Sequence, residues 1–183
     1  MVKTESFILV GHSMGGMLVL RHALSYAPEE VTKKMLGVVS IAPWLALSFE
    51  PPKIKALFGR LLNFISPSFT MDSELKHEEL SRVPEEVEFL RNEPMRHHRI
   101  SAGTFVLATD AGAFCLQNAS GFKYPLLLLH GTGDAICSYE GSSAFAEAAQ
   151  SRDGADVELV TYDGGYHLLH RDLVADEVLD LDH

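Results

Sequence analysis

The chain has 183 residues, of which 46% are hydrophobic and 22% charged, values that exclude a disordered segment and allow a sizeable buried core. A formal net charge of −10 leaves no basic surface to neutralise phosphates along a groove, which argues against nucleic acid as a partner. Cys115 and Cys137 form neither a C-x-x-C pair nor a framework of bridges, so a reducing, cytoplasmic compartment is expected. The opening "MVKTESFILVGH" lacks the layout of a signal peptide. No run approaches the roughly 18 apolar residues of a membrane span.

In chain order, "SFILVGH" is a short run of branched and aromatic residues ending at glycine, and predicts a buried parallel strand. "MGGMLVLRHALSYA" predicts a helix that is apolar nearly all round, stopped by Pro28. "MLGVVSIAPW", "YPLLLLHGTGD" and "ADVELVTYDGGYH" predict three further buried strands, with the helix "GSSAFAEAAQ" between the last two. Strands alternating with helices predict an α/β fold with a parallel sheet of about four strands. Residues 44–123 break this alternation and are read as a helical cap, dividing the core into 1–43 and 124–183. No strand is expected in the cap; "SRVPEEVEFLRNEP" and "SAGTFVLATDAGAFCLQNA" look helical. "PPKIKALFGRLLNFISPSF" has Ile54, Leu57, Phe58, Leu61, Leu62 and Ile65 at helical spacing. Its amphipathic stretch, Pro52 to Phe64, is read as packing into the cap, with peripheral membrane contact as the second reading. A cap inserted there would lie over the carboxyl ends of the strands, where such sheets bind ligands. The acids Asp172, Asp176, Glu177, Asp180 and Asp182 are read as a solvated helix face.

Gly11-His12-Ser13-Met14-Gly15 fits G-x-S-x-G, between a predicted strand and a predicted helix. A serine on such a turn is exposed, and the helix points its positive end at the serine oxygen. Ser13 is therefore the candidate nucleophile and the N–H of Met14 a candidate oxyanion donor. Gly11 and Gly15 are expected to be glycines because side chains there would obstruct the crossing of strand and helix. A hydroxyl needs a base, and the base an acid to hold its tautomer. Asp134, just beyond the third strand, and His167, just beyond the fourth, stand in the order Ser…Asp…His. Asp163 competes as the acid. His167 and His170 form an H-x-x-H pair without a further ligand nearby, and neither metal nor cofactor is expected. His97 and His98, beside Arg96 and Arg99, read as surface residues. His12 is expected to pack beside the elbow, and His130 is given no catalytic role.

"GHSMGG", "LSRVPEEVEFLRNEPMRHHRIS", "PLLLLHGTGDAICSYEGSSAFAEAA" and "YDGGYHLLHRD" together resemble the monoacylglycerol lipases and lysophospholipases of the α/β-hydrolase superfamily, whose domain is also called serine aminopeptidase-like. The resemblance runs from about Ser6 to Asp172. It implies Ser13 as nucleophile, Asp134 as acid, His167 as base, and hydrolysis of carboxylic esters through an acyl-enzyme without a cofactor. The implied substrate is a glycerol-linked or lysolipid acyl ester, with the cap forming an acyl channel. A peptidase or other acyl hydrolase on the same frame is the alternative, since fold does not fix substrate, and a non-catalytic fragment is another. The family carries strands before the elbow and a His-Gly loop that supplies a second oxyanion donor. The chain thus reads as the C-terminal half of an α/β-hydrolase fold, truncated at its N-terminus. Losing one such donor costs about 10²–10³-fold in turnover, so weak activity is expected. The unpaired edge of the first strand is expected to favour self-association.

Overall fold

The computed structural model describes residues 6–25, 30, 33–49, 60–73 and 75–179. In chain order its elements are β1 (Phe7–His12), α1 (Met14–Ser25), β2 (Met35–Ile41), β3 (Thr70–Asp72), α2 (Pro84–Asn92), β4 (Arg99–Ser101), α3 (Ala102–Asn118), β5 (Leu126–Gly131), α4 (Tyr139–Gln150), β6 (Val157–Tyr162) and α5 (Ala175–Leu179). β1, β2, β5 and β6 form one parallel sheet in the order β1-β2-β5-β6. These are the four apolar runs of the sequence. They lack clean alternation where both faces are covered, as in β5, whose residues are nearly all buried.

Alternate strand residues face two cores. On one side Val38, Leu126 and Leu128 pack with Met17 and Leu20 of α1, Cys115 of α3 and Phe145 of α4. On the other, Leu129 and Tyr162 pack with Leu169 and with Val178 of α5. Each fully buried Leu or Phe stabilises the fold by about 1.5–3 kcal/mol. That second face is left open at β1 and β2, where Ile8, Val10 and Leu36 are exposed. Among the described residues, no helix is long and apolar enough to cross a membrane.

The segment 44–123 departs from its reading as a purely helical cap. β3 and β4 pair antiparallel, Met71 opposite Ile100. Strands of three residues are too short to display a period of two. α3 packs along α1, with Ala108, Gly112 and Cys115 buried on its inner face. Small residues permit this approach: a Cβ on Gly112 would sit 2.6 Å from the Trp44 and Leu45 carbonyl oxygens. Residues 60–65 are helical, with Leu61, Phe64 and Ile65 exposed. The rest of the Pro52–Phe64 stretch, residues 52–59, lies outside the described residues, as do Asp180 and Asp182. Leu80 and Leu90 pack in a small cluster with Ile136 and Cys137, joined by Trp44 and Leu168.

Candidate active site

Ser13 occupies the turn between β1 and α1 with φ of 56°, a left-handed conformation that a residue with a Cβ adopts only when its surroundings hold it there. Three backbone bonds do so. Ser13 N–H donates to the Ile41 carbonyl at 2.9 Å, and the Ser13 carbonyl accepts from Met17 N–H at 3.1 Å and Trp44 N–H at 3.0 Å. Met14 opens α1, so its N–H has no partner within the helix and lies beside the serine. The glycine reading needs one correction. A Cβ on Gly11 would run into the backbone of Gly15, and one on Gly16 would meet Ser40 Oγ at 2.9 Å, whereas a Cβ on Gly15 would find open space. Gly15 contributes its backbone to the crossing, and Gly11 and Gly16 are the positions that cannot carry a side chain.

Asp134 and His167 follow β5 and β6, and their loops are locked by backbone contact. A Cβ on Gly131 would collide with the Gly165 carbonyl, and Gly133 N–H donates to that carbonyl at 3.0 Å. The histidine loop is thereby drawn over β5 toward β1. His167 Nε2 lies 3.0 Å from Ser13 Oγ, and His167 Nδ1 lies 2.7 Å from Asp134 Oδ2. The three predicted residues are therefore hydrogen-bonded in series. Asp163 is not part of the series; its Oδ1 accepts from Thr132 Oγ1 at 3.2 Å.

Asp134 is buried, with Oδ1 accepting from the N–H groups of Ile136 at 2.8 Å and Cys137 at 3.0 Å. Burial pushes its carboxyl up, but the hydrogen bonds of His130 and His167, the His167 charge and the Cys137 N–H outweigh this and hold it well below the usual carboxylate range. An ionised Asp134 requires His167 to donate from Nδ1. Nε2 is then the acceptor for the Ser13 hydroxyl.

His130, given no role from sequence, lies beneath this acid. Its Nε2 is 3.1 Å from the Cys137 carbonyl and 3.2 Å from Asp134 Oδ2, and its Nδ1 is 2.6 Å from Ser142 Oγ. A carbonyl only accepts, so Nε2 carries the proton and supports the carboxylate, while Nδ1 accepts from Ser142. A fully buried polar residue within "LLLLHG" is the signal that would have found it.

His12 packs beside the elbow as expected and donates from Nε2 to the His167 carbonyl at 2.9 Å. Burial, then the neighbouring charges of His167 and His170, depress its pKa from 6.5 to about 4. The sign follows from linkage: as pH falls below 6.5 the unfolded chain binds a proton that the folded chain refuses until about 4. This contribution is complete above pH 6.5 and is lost progressively down to about pH 4. Allowing for partial exposure, it amounts to about 2 kcal/mol. Urea unfolding should therefore find that His12→Asn loses less stability than the unsubstituted chain between pH 7.5 and pH 4.5.

Asp172 corrects the reading of the C-terminal acids as a solvated face. Asp176 and Glu177 are exposed, but Asp172 is buried. Its Oδ2 lies 2.7 Å from Arg82 Nη2 and accepts from the Tyr166 N–H at 2.9 Å; its Oδ1 accepts from the Arg82 N–H at 2.7 Å. Leu168 N–H donates to the Leu80 carbonyl at 2.9 Å and Ser81 Oγ to the Arg171 carbonyl at 2.6 Å. Residues 80–82 thus clasp the loop that carries His167.

Ser13 and His167 open on a cavity of about 740 Å³, walled by Trp44, Leu47, Phe49, Leu80, Phe105 and Ile136. The arrangement is a hydroxyl, an imidazole poised to accept its proton, a buried anion behind it, and an apolar chamber in front.

Residues 2–174 match the family described as serine aminopeptidase, S33. The chain is 31% identical to mouse (Mus musculus) monoglyceride lipase over 169 residues, 90% of this chain and 52% of that protein. It is 30% identical to a putative monoglyceride lipase of Schizosaccharomyces pombe over 164 residues, 88% of this chain and 42% of that protein. The chain spans about half the length of these curated relatives. The crystal structure of Paleococcus ferrophilus monoacylglycerol lipase superposes with a TM-score of 0.84 at 31% identity, over 96% of this chain and 65% of that one. The parallel sheet and its flanking helices have the α/β-hydrolase fold. Matched over nearly its whole length, the chain belongs to the serine aminopeptidase, S33 family.

Proposed function

We propose that this protein hydrolyses carboxylic esters of single-chain lipids, glycerol-linked or lysolipid, through an acyl-enzyme on Ser13. The observation that carries this reading is the series Ser13–His167–Asp134 opening on an apolar cavity. As Ser13 Oγ attacks the ester carbonyl, its proton passes to His167 Nε2. The carbonyl oxygen becomes an oxyanion that the Met14 N–H can bind. Collapse expels the alcohol, which takes the proton back from His167. Water activated by the same imidazole then releases the acid and restores Ser13. Asp134 stays ionised throughout and stabilises the imidazolium.

Similarity to proteins named monoglyceride lipases supports an acyl glycerol ester as substrate. A peptidase reading draws on the family description, but the apolar walls suit an acyl chain better than a peptide backbone. The purified chain should release fatty acid from monooleoylglycerol, and Ser13→Ala should abolish the release; an unaffected Ser13→Ala variant would refute the reading.

Two contacts accompany this proposal. Exposed Leu61, Phe64 and Ile65 support peripheral attachment to a lipid surface, which co-sedimentation with phosphatidylcholine vesicles would detect. Ile8, Val10 and Leu36 support association with a second copy at β1. Val10→Lys should shift the chain toward monomer in size-exclusion chromatography, and an unchanged profile would remove β1 as the contact. The buried free thiols Cys115 and Cys137 favour a cytoplasmic setting.

A further inference from the structure

We propose that the cavity contains a subsite for an anionic headgroup, formed by Arg96 and Arg99, and that the preferred ester is a single-chain acyl ester of a glycerophosphate. The inference rests on the ester-hydrolase reading and narrows its substrate.

The charge of the cavity wall is opposite to that of the chain. Asp and Glu outnumber Lys and Arg by 25 to 15 in the sequence. Among the described residues, the cavity is nevertheless lined by Arg96, Arg99 and Arg171 and by no carboxylate. Arg171 is already paired, with Nη1 2.8 Å from Glu86 Oε2. The other two are not neutralised among the described residues. The Arg99 guanidinium is held by neutral groups only: Nε and Nη2 donate to Thr70 Oγ1 at 2.9 and 2.7 Å, and Nη2 also donates to the Thr70 carbonyl at 2.8 Å. That bracing fixes the fork and leaves Nη1 to a ligand. Arg96 is half-buried and its guanidinium has no hydrogen-bond or ion-pair partner among the described residues. Burial depresses its pKa.

An unpaired, partly desolvated guanidinium is costly unless something anionic completes it. Arginine forks suit phosphate oxygens because they offer parallel donors in one plane. Arg99 and the neighbouring His97 are exposed and therefore sit at the cavity's rim, which is continuous with the apolar wall and Ser13. A molecule that fills this cavity with an acyl chain and still satisfies both arginines carries its negative charge outside the chain. A neutral acyl glycerol leaves both unpaired.

The test measures binding by titration calorimetry to the full chain carrying Ser13→Ala, which cannot turn the ligand over. Oleoyl lysophosphatidate should bind at least tenfold more tightly than monooleoylglycerol, both below their micellar concentrations. Arg96→Met and Arg99→Met should each reduce that ratio by about tenfold, the scale of one charged hydrogen bond. Arg60→Met, which removes a surface pair with Asp110, should leave the ratio as it was. A ratio near one, or one unmoved by both cavity variants, would overturn the proposal. So would inorganic phosphate competing as well as the lysolipid, which would mark a free-anion site. Loss of binding to phosphatidylglycerol vesicles with an unchanged ratio would assign the arginines to the membrane surface and overturn it too. Arginine-dependent lysolipid binding by a chain that hydrolyses no ester would keep the subsite and sink the hydrolase reading; hydrolysis without that dependence would do the reverse.

Discussion

Replacing Asp134 by Asn should lower ester turnover by about 10⁴-fold while leaving the fold nearly intact. The existing bonds dictate this outcome. Oδ1 accepts the N–H groups of Ile136 and Cys137, so the oxygen of an asparagine would keep that place. Its NH₂ would then replace Oδ2, 2.7 Å from His167 Nδ1. Two donors cannot face each other, so the imidazole would give up its Nδ1 proton and carry one on Nε2 instead. That nitrogen, 3.0 Å from Ser13 Oγ, would no longer accept the hydroxyl proton. His130 Nε2 faces the same oxygen at 3.2 Å and would also lose an acceptor, although the Cys137 carbonyl remains available to it. Steady-state kinetics on a p-nitrophenyl ester, beside a urea melt, separates the two effects. A variant within tenfold of the parent would show that Asp134 does not set the tautomer.

Asp172→Ala should destabilise the protein by about 3 kcal/mol, the low end for breaking a buried ion pair. The low end applies because the Arg82 side chain retains 25% exposure while that of Asp172 has none. The substitution strands the Arg82 fork and removes the acceptor of the Arg82 and Tyr166 N–H groups. Because Tyr166 precedes His167, activity should fall more steeply than stability. Asp172→Asn keeps acceptor capacity but not the charge, and should lie between Ala and the parent. Urea midpoints with turnover measured well below the transition test this. A loss under 1 kcal/mol would mean that the clasp contributes little.

Much of this was legible in the sequence, and the remainder failed for physical reasons. Four strands were readable as short apolar runs bounded by glycine and proline, although only β5 is buried along nearly its whole length and β1 alternates between half-buried and exposed residues. Ser13, Asp134 and His167 stand out as candidates because each follows a strand end close to glycines, and the structure brings them within hydrogen-bond distance in series. β3 and β4 were not readable, since three residues carry no period. The packing of α3 on α1 has no strong apolar stripe to announce it, because the contact is made by small residues, Ala108, Gly112 and Cys115. Asp172 reads as one of a run of solvated acids because its partner, Arg82, lies 90 residues away in the sequence. His130 carries no motif of its own, and its role under Asp134 emerges only from its contacts with Ser142 and the Cys137 carbonyl.

The central claim is that Ser13 is an activated nucleophile, and a fluorophosphonate probe tests it directly. Incubation of the chain with the probe, followed by intact mass and peptide mapping, should find one adduct on Ser13. The adduct should be absent from Ser13→Ala and greatly slowed in His167→Ala. A folded chain that forms no adduct, or one labelled equally after Ser13→Ala, would contradict the account.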